Sequence, residues 1–223
     1  MKKFLLMGMT ALLALGLAAC GEENTQSSTE PKEDPKPAEQ KEVSNKPEKT
    51  ENGDIVFTKA GQKGEVDGGT LELLKIKNVN ETIDISPLKV TVKEIKLFKK
   101  TDMDEATKEA YKMYNDGKAI GDELIYVQVS YDAENLEEKN IGWNSLLNAI
   151  TDKGQQIDVD MNDMIYTDSD GSSEFLGKVT KEYTDGFVVK DADISKIKFV
   201  WGSTYDTDSY ENITEEQQVE YSF

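Results

Sequence analysis

The chain has 223 residues, and its 44 acidic and 26 basic side chains give it a net charge of −18. It contains no histidine and no arginine, which excludes histidine-based catalytic triads, most zinc sites and bidentate phosphate clamps. The acidic balance also argues against nucleic acid as a partner, because phosphates require clustered positive charge.

The first twenty residues have the layout of a secretory signal. A lysine pair at positions 2–3 precedes an apolar stretch over residues 4–16, which is shorter than the roughly 20 residues that a membrane-spanning helix requires. Leu17, Ala18, Ala19 and Cys20 follow and resemble the lipobox of bacterial lipoproteins. The resemblance implies that residues 1–19 are a signal peptide and that Cys20 becomes a lipidated N-terminus on the extracytoplasmic face of the cell membrane. Two long acyl chains on that residue suffice for stable attachment.

The composition changes sharply over residues 20–53. Glu, Lys, Thr, Ser and Gln dominate this segment, and it holds four of the five prolines, namely Pro31, Pro35, Pro37 and Pro47. Such a stretch cannot bury a core, so we predict a disordered linker with local polyproline-like conformation. The sequence leaves open whether the linker is a spacer of required length or one whose length matters little.

Residues 54–223 have the pattern of a globular domain, and alternation with a period of two is its main signal. The clearest predicted strand covers residues 124–131, and Asp152, Lys153 and Gly154 predict a hairpin turn after residue 151. Because the only cysteine is assigned to lipid, the core must be stable without disulfides. We predict a single antiparallel β-sandwich with further strands at 71–79, 88–98, 145–151, 187–190, 196–201 and 218–221.

One α-helix is predicted inside the β-sandwich, from about residue 102 to 115. Asp102 is suited to cap its first turn with Glu105 three residues later, and Asn115, Asp116 and Gly117 provide a stop. Its apolar side chains fall near one face. The helix either packs on a sheet or is a surface excursion between two strands.

Carboxylates are dense between residues 158 and 174. Oxygen ligands suit calcium, but the spacing around Gly171 does not match the twelve-residue calcium loop, and Asp206 and Asp208 fail the same comparison. Solvated loop carboxylates are the favoured interpretation, and calcium binding stays open as the alternative. The residues concerned are Asp158, Asp160, Asp163, Asp168, Asp170 and Glu174.

No catalytic constellation emerges from the sequence. There is no phosphate-binding loop, nucleophile elbow or dinucleotide motif, so we assign no catalytic residue, cofactor or metal ligand and expect no enzyme. Two carboxylates can hydrolyse a glycosidic bond, but in so acidic a chain their spacing has no specificity. Trp143, Tyr166, Tyr205 and Tyr210 fall in or near predicted loops, where an aromatic ring either stacks on a sugar, anchors a partner or packs into the core.

Three segments resemble a known group of proteins. The stretches at 124–129, 148–154 and 198–201, together with the lipobox and the polar linker, are similar to the immunoglobulin-like lipoproteins of unknown function of Gram-positive bacteria. The similarity covers about residues 66–200 and implies an exported β-sandwich without an inter-sheet disulfide, used for interaction.

The sequence therefore predicts a membrane-anchored, extracytoplasmic, non-enzymatic module that binds a protein or small ligand through loops at one end of the sandwich. Two alternatives remain open. One is a calcium- or solute-binding accessory lipoprotein, and the other is a carboxylate-based cell-wall hydrolase.

Overall fold

The computed structural model describes residues 45–165, 167 and 171–223. The predicted signal peptide 1–19, Cys20 and the linker as far as residue 44 lie outside the described residues. Antiparallel strands make up most of the described part. Their bounds are β1 Glu48–Lys49, β2 Ile55–Val56, β3 Lys63–Val66, β4 Gly69–Ile85, β5 Leu88–Thr101, β6 Leu124–Asn135, β7 Ile141–Trp143, β8 Leu146–Thr151, β9 Gln156–Asp158, β10 Glu174–Phe175, β11 Thr180–Val189, β12 Lys196–Trp201, β13 Thr204–Asp206 and β14 Gln217–Ser222.

Three sheets carry the fold, and the predicted antiparallel β-sandwich is confirmed. The largest sheet has the strand order β11-β6-β5-β4-β3, the second β14-β12-β8-β9 and the third β10-β7-β13. A separate hairpin joins β1 to β2. Buried apolar side chains from the large sheet and from the two smaller sheets form one continuous cluster, so the sheets enclose a common core.

Aromatic side chains fill this inner core. Trp201 lies 4.9 Å from Tyr131 and 6.2 Å from Trp143 between ring centroids, and Phe199 lies 5.8 Å from Trp201. All four rings are buried. Large aromatic residues bury much apolar surface each, which gives a domain without disulfides the core that it needs.

The outer face of the large sheet is also covered. Because alternate residues of a strand point to opposite faces, Leu97 and Val127 lie in the inner core while Phe98 and Tyr126 form a second cluster. Phe57 packs edge-on against Phe98 at 5.5 Å. The outer face of this sheet is therefore apolar where Phe57 and its neighbours cover it.

The folded domain begins earlier than the sequence predicts. Residues 45–53, which the composition assigns to the linker, include β1 and its turn to β2. The Gln62 amide donates to the Lys46 carbonyl at 3.1 Å, and the Lys63 N–H donates to the Asn45 carbonyl at 3.2 Å. A two-residue strand is too short to leave an alternation in the sequence, and the polar composition conceals it.

Two helices lie in the described residues, α1 Glu105–Lys112 and α2 Val159–Asn162. The predicted helix is present but shorter than expected, and its cap is Asp104, whose carboxylate accepts from the Thr107 N–H at 2.7 Å. Asp102 is not the cap, because its φ of +56° places it in a turn before the helix. The helix is a surface excursion between β5 and β6 that contacts the sheet on one side: no residue of α1 is buried, and Tyr111 packs against a cluster that includes Leu124 of β6.

The predicted strands are all present, and their errors lie at the ends. Strand β11 begins at Thr180. The sequence predicts a start at 187, because polar residues in the first half of the strand interrupt its apolar run. Strand β8 begins at Leu146, since Ser145 has a φ of +51°. The predicted hairpin turn is confirmed by Gly154, which has a φ of +78° and donates to the Thr151 carbonyl at 3.0 Å. The strands that the sequence analysis missed have two to four residues each and are β1, β2, β3, β7, β9, β10 and β13.

Among the residues that the structure covers, no helix is long and apolar enough to cross a membrane.

Candidate binding surface at one end of the sandwich

Four chain segments meet at one end of the sandwich, and we call them together the loop end. They are residues 86–87, 136–140, 176–179 and 206–216. The Asn135 amide donates to the carbonyls of Lys139 at 2.9 Å and Gly177 at 2.8 Å, which joins the second segment to the third. The Leu136 N–H donates to the Pro87 carbonyl at 3.3 Å. These bonds join three of the segments, and the ion pair between Lys139 and Asp206 joins the fourth.

The loop end concentrates the exposed apolar surface of the domain. Seven large apolar side chains are exposed in the described residues, and five of them lie in these loops. Tyr210 is 75% exposed and Leu176 is 65% exposed. Exposed apolar residues gathered in one place are typical of an interaction site, whereas scattered ones need no explanation. The five residues are Leu136, Leu176, Val179, Tyr210 and Ile213.

Two of the aromatic residues from the sequence analysis belong to this surface. The rings of Tyr205 and Tyr210 stack at 6.3 Å between centroids. The Tyr205 hydroxyl forms a 2.9 Å hydrogen bond with the Ser173 hydroxyl, and Tyr210 has a φ of +61°. The hydrogen-bonded Tyr205 thus supports an exposed Tyr210 ring, an arrangement suited to anchoring a partner.

Asp206 organises the loop that carries Tyr210. One of its carboxylate oxygens accepts from the N–H groups of Asp208 and Ser209, each at 2.9 Å, and Lys139 forms an ion pair with the other. The Lys139 ammonium and these backbone donors hold the pKa of the Asp206 carboxyl well below its usual range. The ionised Asp206 carboxylate therefore stabilises the folded conformation of the loop.

The loop end is strongly acidic. It contains seven carboxylates but only two lysines, and both lysines are already paired, Lys139 with Asp206 and Lys178 with Glu138. The remaining acidic side chains form no ion pair with any described residue, so their negative field is directed to solvent. They are Glu137, Asp208, Glu211, Glu215 and Glu216.

Trp143 is a core residue that also lines the cleft beside β7 described below. It lies in β7 with 1% of its surface exposed, and its indole N–H donates to the Gly202 carbonyl at 3.0 Å. Of the three interpretations that the sequence leaves open for this residue, packing is confirmed. Tyr166 lies outside the described residues.

Two of the carboxylates weighed as calcium ligands, Asp158 and Asp163, have other roles in the fold. Asp158 caps α2 by accepting from the Met161 N–H at 3.2 Å. Asp163 accepts from the N–H groups of Ile165 at 2.9 Å and Gly186 at 2.7 Å, which ties the chain after α2 to β11. Within the described ranges no three acidic residues are grouped as a metal site requires. Asp168 and Asp170 lie outside those ranges.

A cleft of about 320 Å³ lies beside β7 and β11, and three carboxylates line it: Asp160, Asp163 and Asp185. Asp185 is buried and accepts from the Tyr131 hydroxyl at 2.9 Å. Asp163 is bonded to the backbone as described above. Two of the three carboxylates are thus already hydrogen-bond acceptors within the fold, and the cleft assigns no acid/base pair.

Comparisons with known proteins were made at the level of family, sequence and structure. No family model matches the chain, and no curated protein sequence matches it. A functionally unknown protein from Listeria monocytogenes EGD-e is similar in structure, with 13% identity and a TM-score of 0.47 over 70% of this chain and 88% of that chain. A conserved hypothetical protein from Bacillus anthracis has 14% identity and a TM-score of 0.37 over 63% of this chain and 96% of that chain. At these values neither similarity identifies a family or a function.

Proposed function

We propose that the chain is a membrane-anchored, extracytoplasmic lipoprotein whose β-sandwich is a non-enzymatic binding module for a partner protein. The observation that carries the proposal is the gathering of five exposed apolar side chains on the loop end. Apolar residues that fold into the core elsewhere in the domain are here presented to solvent on connected loops. Partner contact would remove that surface from water.

The charges around the loop end define the chemistry of the partner. Five carboxylates without a lysine partner surround the apolar side chains, so a complementary surface carries lysine or arginine around an apolar centre. The same charges repel anionic membrane surfaces and nucleic acid. A cationic protein surface with an apolar anchor is therefore the proposed partner.

Anchoring through Cys20 would place this module outside the cell membrane. Attachment rests on the lipobox resemblance and on the two acyl chains that it implies. Replacing Cys20 by Ser is expected to stop the incorporation of labelled fatty acid into the chain. Continued labelling of the Cys20→Ser variant would contradict the anchoring part of the proposal.

Site-specific photo-crosslinking on intact cells tests the binding surface. A photo-reactive phenylalanine analogue replaces Tyr210, Leu176 or, as a control, Met113, which is 67% exposed at the end of α1 and outside the loop end. We expect one protein adduct of the same size from the two loop-end positions and none of that size from the control. Adducts from all three positions alike, or from none, would overturn the proposed surface.

A charge-reversal pair separates binding from folding. Changing Glu215 and Glu216 to Lys is expected to lower the yield of the Tyr210 adduct at least about tenfold, because reversing charges next to a cationic partner costs more than 1 kcal/mol. The matched control changes Glu48 and Glu51 to Lys, two exposed residues outside the loop end, which alters net charge by the same amount. Equal loss in both variants would show that only net charge matters.

A further inference from the structure

A second cleft, of about 330 Å³, lies away from the loop end and shares no residue with it. Its lining comes from the turn after α1, the β8–β9 hairpin, the end of α2 and strand β11. We call it the amide cleft, because half of its lining residues have carboxamide side chains. They are Asn115, Asn148, Gln155, Gln156 and Asn162.

The amide cleft has one apolar patch in a mostly polar lining. Val188 contributes this patch with Tyr114 half-buried beside it, whereas the Ile157 side chain belongs to the inner core cluster. Asp116 and Asp158 are exposed at its rim. Seven of the ten lining residues have polar side chains, so the cleft is more polar than the usual small-molecule site, and its volume is at the lower end of the roughly 300–1,000 Å³ of such sites.

Most of the carboxamides use one polar end inside the protein. The Gln156 amide N–H donates to the Asn148 carbonyl oxygen at 3.3 Å. The side-chain N–H groups of Asn162 and Asn115 donate to the backbone carbonyls of Asp158 at 2.8 Å and Lys118 at 3.2 Å. Each carboxamide has donors at one end and an acceptor at the other. The Asn148 N–H donors and the carbonyl oxygens of Gln156, Asn162 and Asn115 form no hydrogen bond with any described residue.

Gln155 has a different role. Its N–H donates to the Val188 carbonyl at 3.3 Å, and its carbonyl oxygen accepts from the Lys190 N–H at 2.8 Å. Both of its polar ends are bonded to β11 and the residue after it, so Gln155 fixes the hairpin against the large sheet. These two hydrogen bonds hold the cleft open, and a ligand can bind without breaking them.

The charges of the cleft disfavour an anionic ligand. No lysine lines it, which leaves an anion without a partner. Asp116 is paired with Lys118 at 2.8 Å, and Asp158, which accepts from one backbone N–H as the cap of α2, keeps its charge and adds an acceptor at the rim. What remains is an acceptor-rich wall of neutral amides, which hydroxyl groups satisfy as donors.

We propose that the amide cleft binds an uncharged saccharide. Sugar rings present hydroxyls at their edges and C–H groups on their faces, which match the amide wall and the Val188 side chain. The Tyr114 ring supplies an aromatic surface with a polar end. The proposal is independent of the protein-binding role of the loop end.

Titration calorimetry on the full chain, held in a detergent without a sugar headgroup, tests the proposal. The probes are cellotetraose and N-acetylchitotetraose, with anionic tetragalacturonate as the charged comparison. We expect saturable binding of at least one uncharged tetramer and none of the anionic one. Absence of binding by both uncharged tetramers, or equal binding of tetragalacturonate, would overturn the proposal.

Variants locate the binding in the cleft. Asn148→Ala and Asn115→Ala are each expected to raise the dissociation constant about tenfold, since each removes one hydrogen-bonding group and leaves a sugar hydroxyl unpaired. The matched control is Gln218→Ala, an exposed carboxamide on β14 outside the cleft. Asn115 lies in a surface turn, so its variant keeps the test valid if the β8 variant unfolds. Unchanged affinity in the Asn115 variant, or an equal loss in the control, would reject this site.

The saccharide has two possible sources, a free oligosaccharide or a polymer in the wall. Co-sedimentation of the full chain with insoluble chitin and with insoluble cellulose distinguishes them. If the parent chain sediments with a polymer and the Asn115→Ala variant does not, the ligand is a polymer chain or its end. If the parent chain binds only the tetramers, the ligand is a soluble oligosaccharide. Sedimentation that persists in the variant would contradict the assignment to this cleft.

Discussion

Trp143 and Trp201 lie side by side in the inner core, and their indole N–H groups are in different situations. The Trp143 N–H donates to the Gly202 carbonyl at 3.0 Å, whereas the Trp201 N–H has no hydrogen-bond partner among the described residues. A buried donor without a partner costs about 1–3 kcal/mol. Two residues of the same type, equally buried, therefore contribute differently to stability.

We expect Trp143→Phe to lower the free energy of unfolding by about 1–2 kcal/mol more than Trp201→Phe. Both changes remove similar apolar volume, but the first also leaves the Gly202 carbonyl unpaired while the second removes an unsatisfied donor. Urea unfolding followed by far-ultraviolet circular dichroism measures both. Equal losses in the two variants would contradict the assigned hydrogen-bond difference.

Asp206 is expected to make the domain acid-sensitive. Its carboxyl has a pKa held well below the ordinary value, first by Lys139 and then by the backbone N–H groups of Ser209 and Asp208. A depressed pKa in the folded state contributes stability above the unfolded value of about 3.9, and this contribution is lost as the pH falls from there toward the folded value. The effect therefore belongs to the range below about pH 4.

Replacing Asp206 by Asn should remove this contribution. The melting temperature of the variant is expected to lie below that of the parent at pH 7, and the gap is expected to narrow as the pH falls from 4 to 2. Asp208→Asn is the matched control, because it makes the same charge change in the same loop without removing a side-chain hydrogen bond to a described residue. A gap between parent and Asp206→Asn that is constant from pH 7 to pH 2 would contradict the prediction.

At the scale of elements, α1 shows how a cap is selected. Both Asp102 and Asp104 precede the helix, and both suit capping by residue type. The turn after β5 places Asp102 at positive φ, where its carboxylate accepts from the Thr101 hydroxyl at 3.1 Å. Only Asp104 has the extended backbone, with ψ of 168°, that lets a side chain reach the Thr107 N–H.

We expect Asp104→Ala to lower the melting temperature by about 2–4 °C, because it removes the N-cap of α1. Asp102→Asn is expected to lower it by less, because Asn tolerates positive φ and keeps an acceptor oxygen. Thermal unfolding of the two variants at pH 7 makes the comparison. A larger loss of stability in the Asp102→Asn variant would identify Asp102 as the cap, as the sequence pattern indicates.

At the scale of the whole molecule, negative charge is the dominant electrostatic property. A net charge of −18 destabilises a compact state through self-repulsion, and salt screens that repulsion. The ion pairs of the described residues are mostly exposed, and such pairs contribute little stability for salt to remove. Added salt should therefore stabilise the domain.

We expect the melting temperature to rise by about 2–4 °C between 20 mM and 500 mM NaCl, which corresponds to about 1 kcal/mol for a domain of this size. CaCl2 and MgCl2 at equal ionic strength are expected to give equal shifts. A larger shift with calcium that EDTA reverses would support the calcium-binding alternative. A melting temperature that falls with NaCl would contradict the role assigned to self-repulsion.

Local alternation determined much of the fold. Residues 88–98 and 196–201 alternate clearly, because the two faces of a strand meet different surroundings, and the structure has strands there. The turn at Gly154 needed only a residue able to adopt positive φ. Strands of two or three residues, such as Glu174–Phe175, are too short for any period, and long-range pairing alone creates them.

The sequence by itself determined a mostly β domain, a disulfide-free core and a chemistry without histidine, and it predicts an anchor at Cys20. Only the tertiary structure brought Leu136, Leu176 and Tyr210 to one end of the sandwich, and Asn115 to the same cleft as Asn148. The reason is physical. The face on which a side chain lies follows from local backbone geometry, whereas the meeting of distant loops depends on strand order and register, which packing of the whole core decides.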